Sequence, residues 1–306
     1  MHIVRYLDRN TDRNTPSVGI LADDTVTAFD AVTTIAELLR LSTTELQQRC
    51  ASPGGAAKPV SEMTLLPPID GRTELWAAGV TYEQSRTARV EESERSATVY
   101  EQVYDAERPE LFFKSVAWKV VGHGEPIAVR DDSQIDVPEP ELAVVVNAAG
   151  DIVGYTVCDD VSSRTIEGEN PLYLPQAKVF AGGAAVGPAI RPAWEIADPY
   201  GLGISLRIER DGATAWSGKA TTSQLHRKLP DLVRYLRYAD AFPDGALLST
   251  GTCLVPDMPF TLRDGDTVEI AIDEVGTLRT PVVQGLSALA ARLDRFRSPA
   301  QDGARS

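Results

Sequence analysis

Histidine is scarce. Three occur in 306 residues: His2, His123 and His226. His2 sits at the chain start, which leaves two for chemistry. A zinc centre built on several histidines is nearly excluded, and no C-x-x-C pair stands in for them. A Ser-His-Asp triad would need His123 or His226, and neither lies near a G-x-S-x-G elbow. Cysteine is as sparse. Cys50, Cys158 and Cys253 are odd in number and far apart, which argues against a disulfide scaffold and for a reducing cytoplasm. No apolar run approaches the roughly 20 residues of a membrane span. The opening MHIVRYLDRN lacks the basic-then-apolar layout of a signal peptide. Positive charge is in deficit: 30 Lys and Arg against 44 Asp and Glu give a net charge of −14. Such a surface repels phosphate backbones and anionic lipid, so neither nucleic acid nor a membrane is an expected partner. If the chain is an enzyme, carboxylates or lysines carry its chemistry.

What is present is an ordinary globular mix, 43% hydrophobic and 24% charged. At roughly 100–200 residues per domain, the length fits one large domain with a smaller one. Residues 3–7 and 18–21 are apolar runs around a turn-rich segment and read as a hairpin. Thr33 and Thr34 precede IAELLRLSTTELQQRC, which has helical apolar spacing behind an N-cap. ASPGGAAKP and LLPPIDGR then read as a linker, with a boundary near residue 70. The expectation is a small N-terminal αβ domain over residues 1–70 and a catalytic domain over 71–306. Residues 83–107 are highly charged and read as a solvated surface helix or as a cover over a site. From about residue 111 the runs LFFK, PIAVR, ELAVVVN, DIVGYTV, ISLRIER, ALLST, TVEIAID and TLRTPVV read as strands. Helical patterns interrupt only at 229–239 and 285–296. The fold class is α+β, a β-rich roll or sandwich rather than a doubly wound sheet. AGGAAVGPAI holds Gly182, Gly183 and Gly187 without a following G-K-[ST], so it reads as close backbone packing and not as a phosphate loop.

The chemistry concentrates in VPEPELAVVVNAAGDIVGYTVCDD. Glu139 and Glu141 are one residue apart at the start of a strand, so both carboxylates point to one face. The chain turns at 147–150 and runs back. A hairpin centred near Ala148 and Ala149 places Glu139 opposite residues 158–160, which brings Asp159 or Asp160 beside the two glutamates. Three carboxylates so close repel one another, and a hard divalent cation is the simplest neutraliser. Mg²⁺ suits a few carboxylates while keeping positions free for substrate.

This stretch resembles the fumarylacetoacetate hydrolase family. The resemblance spans roughly residues 72–285. It rests on Glu139-Pro140-Glu141, the return through Asp159-Asp160-Val161-Ser162-Ser163-Arg164-Thr165, Lys178, and the turn Thr250-Gly251-Thr252. It implies a mixed β-roll catalytic domain, a homodimer or larger homo-oligomer, and Mg²⁺ (or Mn²⁺ or Ca²⁺) held by Glu139, Glu141 and Asp160. It also implies that Lys178 faces the substrate and that Gly251 and Thr252 hold a substrate oxyanion or carboxylate. Two departures redirect the function. Ser85 stands where the family's hydrolases carry a histidine, and serine cannot accept a proton near neutral pH. Thr165 replaces the aspartate that follows the arginine. The runs RPELFFK, VPEPELAVVVN and EGENPLYLPQAK are similar to the family's 2-keto-3-deoxy-D-arabinonate dehydratase branch.

That branch implies a Mg²⁺-dependent dehydratase, a carbon–oxygen lyase acting on a 2-oxo-3-deoxy sugar acid. The metal chelates the 2-oxo acid and stabilises an enolate, which expels hydroxide from C4 without any water nucleophile. Lys178 is the expected proton-transfer or oxyanion group, and Glu110 a second acid/base. Ser85 and Arg86 are expected to bind the distal part of the substrate. The competing readings are a hydrolase or decarboxylase of an acylpyruvate or β-diketo acid, and a repurposed, non-hydrolytic family member in a biosynthetic pathway.

Overall fold

A computed structural model of the chain describes residues 1–11, 15–82 and 102–297. Most of the charged 83–107 segment, with Ser85 and Arg86, lies outside the described residues. The first unit contains β1 (His2–Asp8), β2 (Ser17–Ala22), β3 (Thr25–Phe29), α1 (Ile35–Leu39), α2 (Thr43–Ala51), β4 (Gly54–Pro59) and β5 (Met63–Leu66). The expected hairpin is present, with Ile3 opposite Ile20.

Two expectations are corrected here. The single helix after Thr34 is two helices. Thr34 and Ser42 each build a capping box, with Glu37 and Glu45 respectively. The second box stops the chain from continuing through Arg40 and Leu41. The ASPGGAAKP linker is in large part β4, paired with β3. Gly55 permits that pairing, since a Cβ there would meet the Ala28 carbonyl oxygen at 2.6 Å.

The remaining chain supplies β6 (Glu74–Gly79), β7 (Glu110–Val116), β8 (Ile127–Val129), β9 (Asp136–Val137), β10 (Pro140–Val146), β11 (Ile152–Asp160) and β12 (Ser162–Ser163). Then follow α3 (Arg164–Glu169), α4 (Leu174–Lys178), β13 (Ala184–Pro192), β14 (Gly203–Arg210), β15 (Ala213–Thr221) and α5 (Leu229–Leu236). The chain closes with β16 (Ala246–Ser249), β17 (Thr267–Ile272), β18 (Gly276–Gln284) and α6 (Gly285–Arg297). The large sheet runs β4-β3-β2-β1-β13-β11-β10-β16-β6-β7, with β5 added on β1. A second sheet runs β15-β14-β17-β18-β8. This is the strand-rich α+β roll expected from the pattern.

β10 explains why the pattern reads as a continuous apolar run and not as an alternation: every one of its residues is buried. Leu142, Val144 and Val146 join a cluster with Ile204, Leu206, Val268 and Ile270 of the second sheet. Ala143 and Val145 face the opposite way, into a cluster with Ile3, Ile35, Leu38 and Leu39 of the first unit. The strand that carries Glu141 is thus gripped from both sides. The large sheet is also continuous across the expected boundary near residue 70, because β1 pairs with β13 at Ile3–Ile190. α5 is amphipathic for the usual reason: Leu229, Leu232, Val233 and Leu236 fall on one face and are buried, and Pro230 sits in its first turn. It ends at Leu236, short of the expected 239.

Asp70 fastens the first unit. Its carboxylate accepts the N–H groups of Ile35 and Ala36, both at 2.9 Å, and pairs with Arg5 at 3.1 Å. Asp70→Ala leaves two buried donors unpartnered and is expected to cost about 1–3 kcal/mol. Urea unfolding should show a lower midpoint at unchanged slope. An unchanged midpoint would remove Asp70 from the list of fastenings.

Candidate active site

The β10–β11 hairpin sets the register of the site. Pro140 pairs with Asp159 and Glu141 with Cys158, and the Asp160 N–H donates to the Glu139 carbonyl. Glu139 therefore faces Asp160. Glu139, Glu141 and Asp160, all buried, each present a carboxylate oxygen within 4.8 Å of the other two. Asp159 points elsewhere. Its Oδ1 accepts the Glu139 N–H at 3.0 Å, and burial pushes its carboxyl up to about 8. The choice between the two aspartates, open in the hairpin register alone, falls on Asp160 by geometry.

Each carboxylate has its own supports. Glu139 Oε1 accepts from Arg164 Nη2 and its Oε2 from Lys178 Nζ, both at 2.8 Å. Asp160 Oδ2 accepts from Lys178 Nζ at 3.0 Å, and its Oδ1 is ion-paired with Lys114. Glu141 Oε2 accepts from Ser249 Oγ at 2.5 Å and from the Gly251 N–H at 2.9 Å. Burial, then the Asp160 and Glu139 charges, raise the Glu141 carboxyl well above the usual carboxylate range. Three hard oxygen donors, one of them the Glu141 carboxyl under that repulsion, are the donor set a divalent cation such as Mg²⁺ fits.

Lys178 ends α4 and is buried. Its three hydrogens meet Glu139, Asp160 and Ser162 Oγ, the last at 2.5 Å, and Nζ lies 5.8 Å from the centre of the Phe112 ring. Glu110 opens β7 opposite Gly79, two residues before Phe112. Its carboxylate lies over Gly79, where a Cβ would meet Glu110 Oε2 at 1.9 Å.

The Thr250–Thr252 turn is set by Thr81, whose hydroxyl donates to the Thr250 carbonyl at 2.6 Å. Gly251 has φ +91°, and a Cβ there would meet Thr81 Oγ1 at 1.9 Å, so only glycine fits. The Thr252 hydroxyl lies 3.1 Å from the Pro140 and Leu254 carbonyls. The Gly251 N–H and the Thr252 hydroxyl thus meet protein acceptors in this structure, and through the first of them the turn shapes Glu141.

Thr165 also has a structural post. Its Oγ1 accepts the N–H groups of Gln134 and Ile135 at 3.1 and 3.0 Å, which ties down the loop before β9. The sequence reading missed Lys114 and did not see that Arg164 pairs with both Glu139 and Glu167. For Arg164 the signal was its place two residues after Ser162. For Lys114 it was only the end of a strand-like LFFK run.

With the geometry in place, the class is clear. The chain belongs to the fumarylacetoacetate hydrolase family: the pattern described as Fumarylacetoacetate (FAA) hydrolase C-terminal matches residues 75–283. It is 47% identical over 226 residues to the 2-dehydro-3-deoxy-D-arabinonate dehydratase of Saccharolobus solfataricus, covering 73% of this chain and 76% of that protein. A probable 2-keto-3-deoxyxylonate dehydratase of Haloferax volcanii is 49% identical over 215 residues, 70% and 73% of the two chains. A solved 2-keto-3-deoxy-D-arabinonate dehydratase complexed with magnesium and 2,5-dioxopentanoate superposes with TM-score 0.79 at 37% identity, over 93% of this chain and 99% of that one. The family resemblance drawn from the motifs is borne out.

The raised groups have a consequence for stability. The Asp159 carboxyl, at about 8, Asp136, pushed by burial up to about 6, and Glu141 all hold protons more tightly folded than unfolded. The folded state then binds more protons, and stability falls as pH rises from about 4 to about 8. In EDTA the urea midpoint should drop between pH 5 and 8, and Asp159→Asn should flatten the upper part of that slope. A midpoint that rises across this range contradicts the assignment.

Proposed function

We propose that this protein is a Mg²⁺-dependent dehydratase, a carbon–oxygen lyase that removes water from a 2-keto-3-deoxypentonate and releases 2,5-dioxopentanoate. The observation that carries the reading is the buried Glu139–Glu141–Asp160 trio with Lys178 bridging two of its members, in a chain 47% identical to a dehydratase of that substrate class. Glu139, Glu141 and Asp160 hold the metal. Bound there, Mg²⁺ (with Mn²⁺ or Ca²⁺ as alternatives) supplies Lewis acidity to the carboxylate and ketone oxygens of a 2-oxo acid, so that a C3 proton becomes abstractable by a modest base.

The protein's own groups do the rest. Lys178, held by three acceptors, places its ammonium charge beside the ketone oxygen and stabilises electrostatically the negative charge that grows there. Glu110 takes the proton from C3 and returns it to the hydroxyl leaving C4, so one water departs and a C3=C4 alkene conjugated with the C2 ketone remains. A C5 proton then leaves as another is added at C3, and the resulting C4=C5 enol gains a proton at C4 and loses its hydroxyl proton to give the aldehyde at C5. No attacking water is needed, which suits serine at position 85. Gly251 and Thr252 act from behind by fixing Glu141, while Ser85 and Arg86 serve the substrate's distal hydroxyls.

The same first step, proton loss next to a ketone, underlies keto–enol tautomerisation. An oxaloacetate tautomerase of Xenopus laevis is 28% identical over 240 residues, 73% of this chain and 69% of that protein. We place the protein in the cytoplasm, in keeping with three free and buried cysteines, as a homodimer or larger homo-oligomer.

Incubation with 2-keto-3-deoxypentonate and Mg²⁺ should yield 2,5-dioxopentanoate, and EDTA should stop it. Glu141→Gln should lose Mg²⁺ binding and activity with the circular dichroism spectrum unchanged. Lys178→Ala should lower kcat by more than it weakens Mg²⁺ binding. Cleavage of acylpyruvates without dehydration would overturn the reading in favour of a hydrolase, and full activity of Glu141→Gln would dismiss the site.

A further inference from the structure

Lys114 is buried and lies outside the mechanism above. Its placement is unusual for a strand residue. On β6 and β7, Leu75 pairs with Ser115 and Trp76 with Phe113, so Lys114 is the extra residue of a β-bulge and has no partner across the ladder. A bulge re-aims a side chain, and this one sends the ammonium into the site. Lys114 Nζ is ion-paired with Asp160 Oδ1 at 2.5 Å. It also donates to the Val161 carbonyl at 3.0 Å and to the carbonyl of Lys178. The Phe180 ring lies 5.6 Å away on another side. One ammonium therefore holds a metal-trio carboxylate, the backbone just after it, and the backbone of the lysine that bridges the trio.

Two consequences follow from charge and geometry. First, Lys114 keeps the end of β11 and the end of α4 in one frame, so Asp160 and Lys178 cannot drift independently. Second, its positive charge sits against Asp160 and opposes any cation bound by the trio. We propose that Lys114 is a positioning residue which lowers the affinity of the Glu139–Glu141–Asp160 trio for its divalent cation while holding Asp160 and Lys178 in working order. Removing the charge then moves metal affinity and turnover in opposite directions. A lysine that merely supported the fold would weaken both. This inference rests on the metal-dependent reading above.

The test is Lys114→Met, with Mg²⁺ titrated calorimetrically into metal-free protein without substrate, and with kcat measured separately at saturating Mg²⁺. The expected result is a Kd for Mg²⁺ at least threefold lower than that of the unaltered protein, together with a kcat at least threefold lower. Lys114→Arg keeps the charge and should return the Kd to within twofold of the unaltered value. A Kd that stays the same or rises in Lys114→Met, or a kcat that holds, overturns the proposal, as does a tightened Kd in Lys114→Arg. If circular dichroism shows Lys114→Met unfolded, Lys114→Gln, which deletes the charge and keeps a donor for the carbonyls, replaces it with the same expected pair of shifts. If the unaltered protein binds Mg²⁺ and fails to dehydrate the pentonate, the functional reading falls, and the calorimetric comparison still decides the role of Lys114.

Discussion

Mutual repulsion among three buried carboxylates is the constraint around which this structure is built. Glu139, Glu141 and Asp160 stand close enough that ionising all of them out of water is costly without nearby positive charge. Arg164, Lys178 and Lys114 supply part of it, each aimed at a different oxygen or pair of oxygens. Glu141 accepts from two neutral donors, the Ser249 hydroxyl and the Gly251 N–H, and it is the member whose carboxyl is driven up. A dication held there, as proposed, would complete that arrangement and supply Lewis acidity to a bound 2-oxo acid.

Holding like charges together needs a rigid frame, and the frame is the β10–β11 hairpin. Both faces of β10 are packed, one by the second sheet and one by the first unit. The hairpin is bordered by β13 and β16, so neither of its strands is a sheet edge. The Thr250–Thr252 turn follows directly from β16 and delivers its N–H to Glu141. The small first unit packs its helices on Ala143 and Val145, further along the same face of the strand from which Glu141 projects.

Much of this was legible in the residues, and the parts that were not share a cause. The ExE spacing and the length of the β10–β11 hairpin determine which residues meet, because strand pairing is local and periodic. What periodicity could not resolve was the one-residue choice between Asp159 and Asp160, which depends on where the hairpin turns. The motif resemblance chose Asp160, and in the structure it is the Asp160 carboxylate that lies beside the two glutamates. Lys114 was missed because it lies at a bulge, where alternation breaks and pattern reading has no purchase. β13 was read as close glycine packing because AAVGPAIRP carries Gly, Pro and small residues that disguise a strand bordered on both sides. The break between α1 and α2 was in plain sight as S-T-T-E, a capping box inside an otherwise continuous helical pattern. Thr165, a departure that unsettled the motif, proves to hold a loop through its hydroxyl.

The central claim is that one cation sits among Glu139, Glu141 and Asp160. The most direct measurement is anomalous diffraction from crystals grown with Mn²⁺ in place of Mg²⁺. The account predicts a single strong peak within about 2.5 Å of one oxygen from each of the three side chains. A map with no peak there at millimolar Mn²⁺, or with the metal bound elsewhere while the three oxygens stay uncontacted, would contradict it.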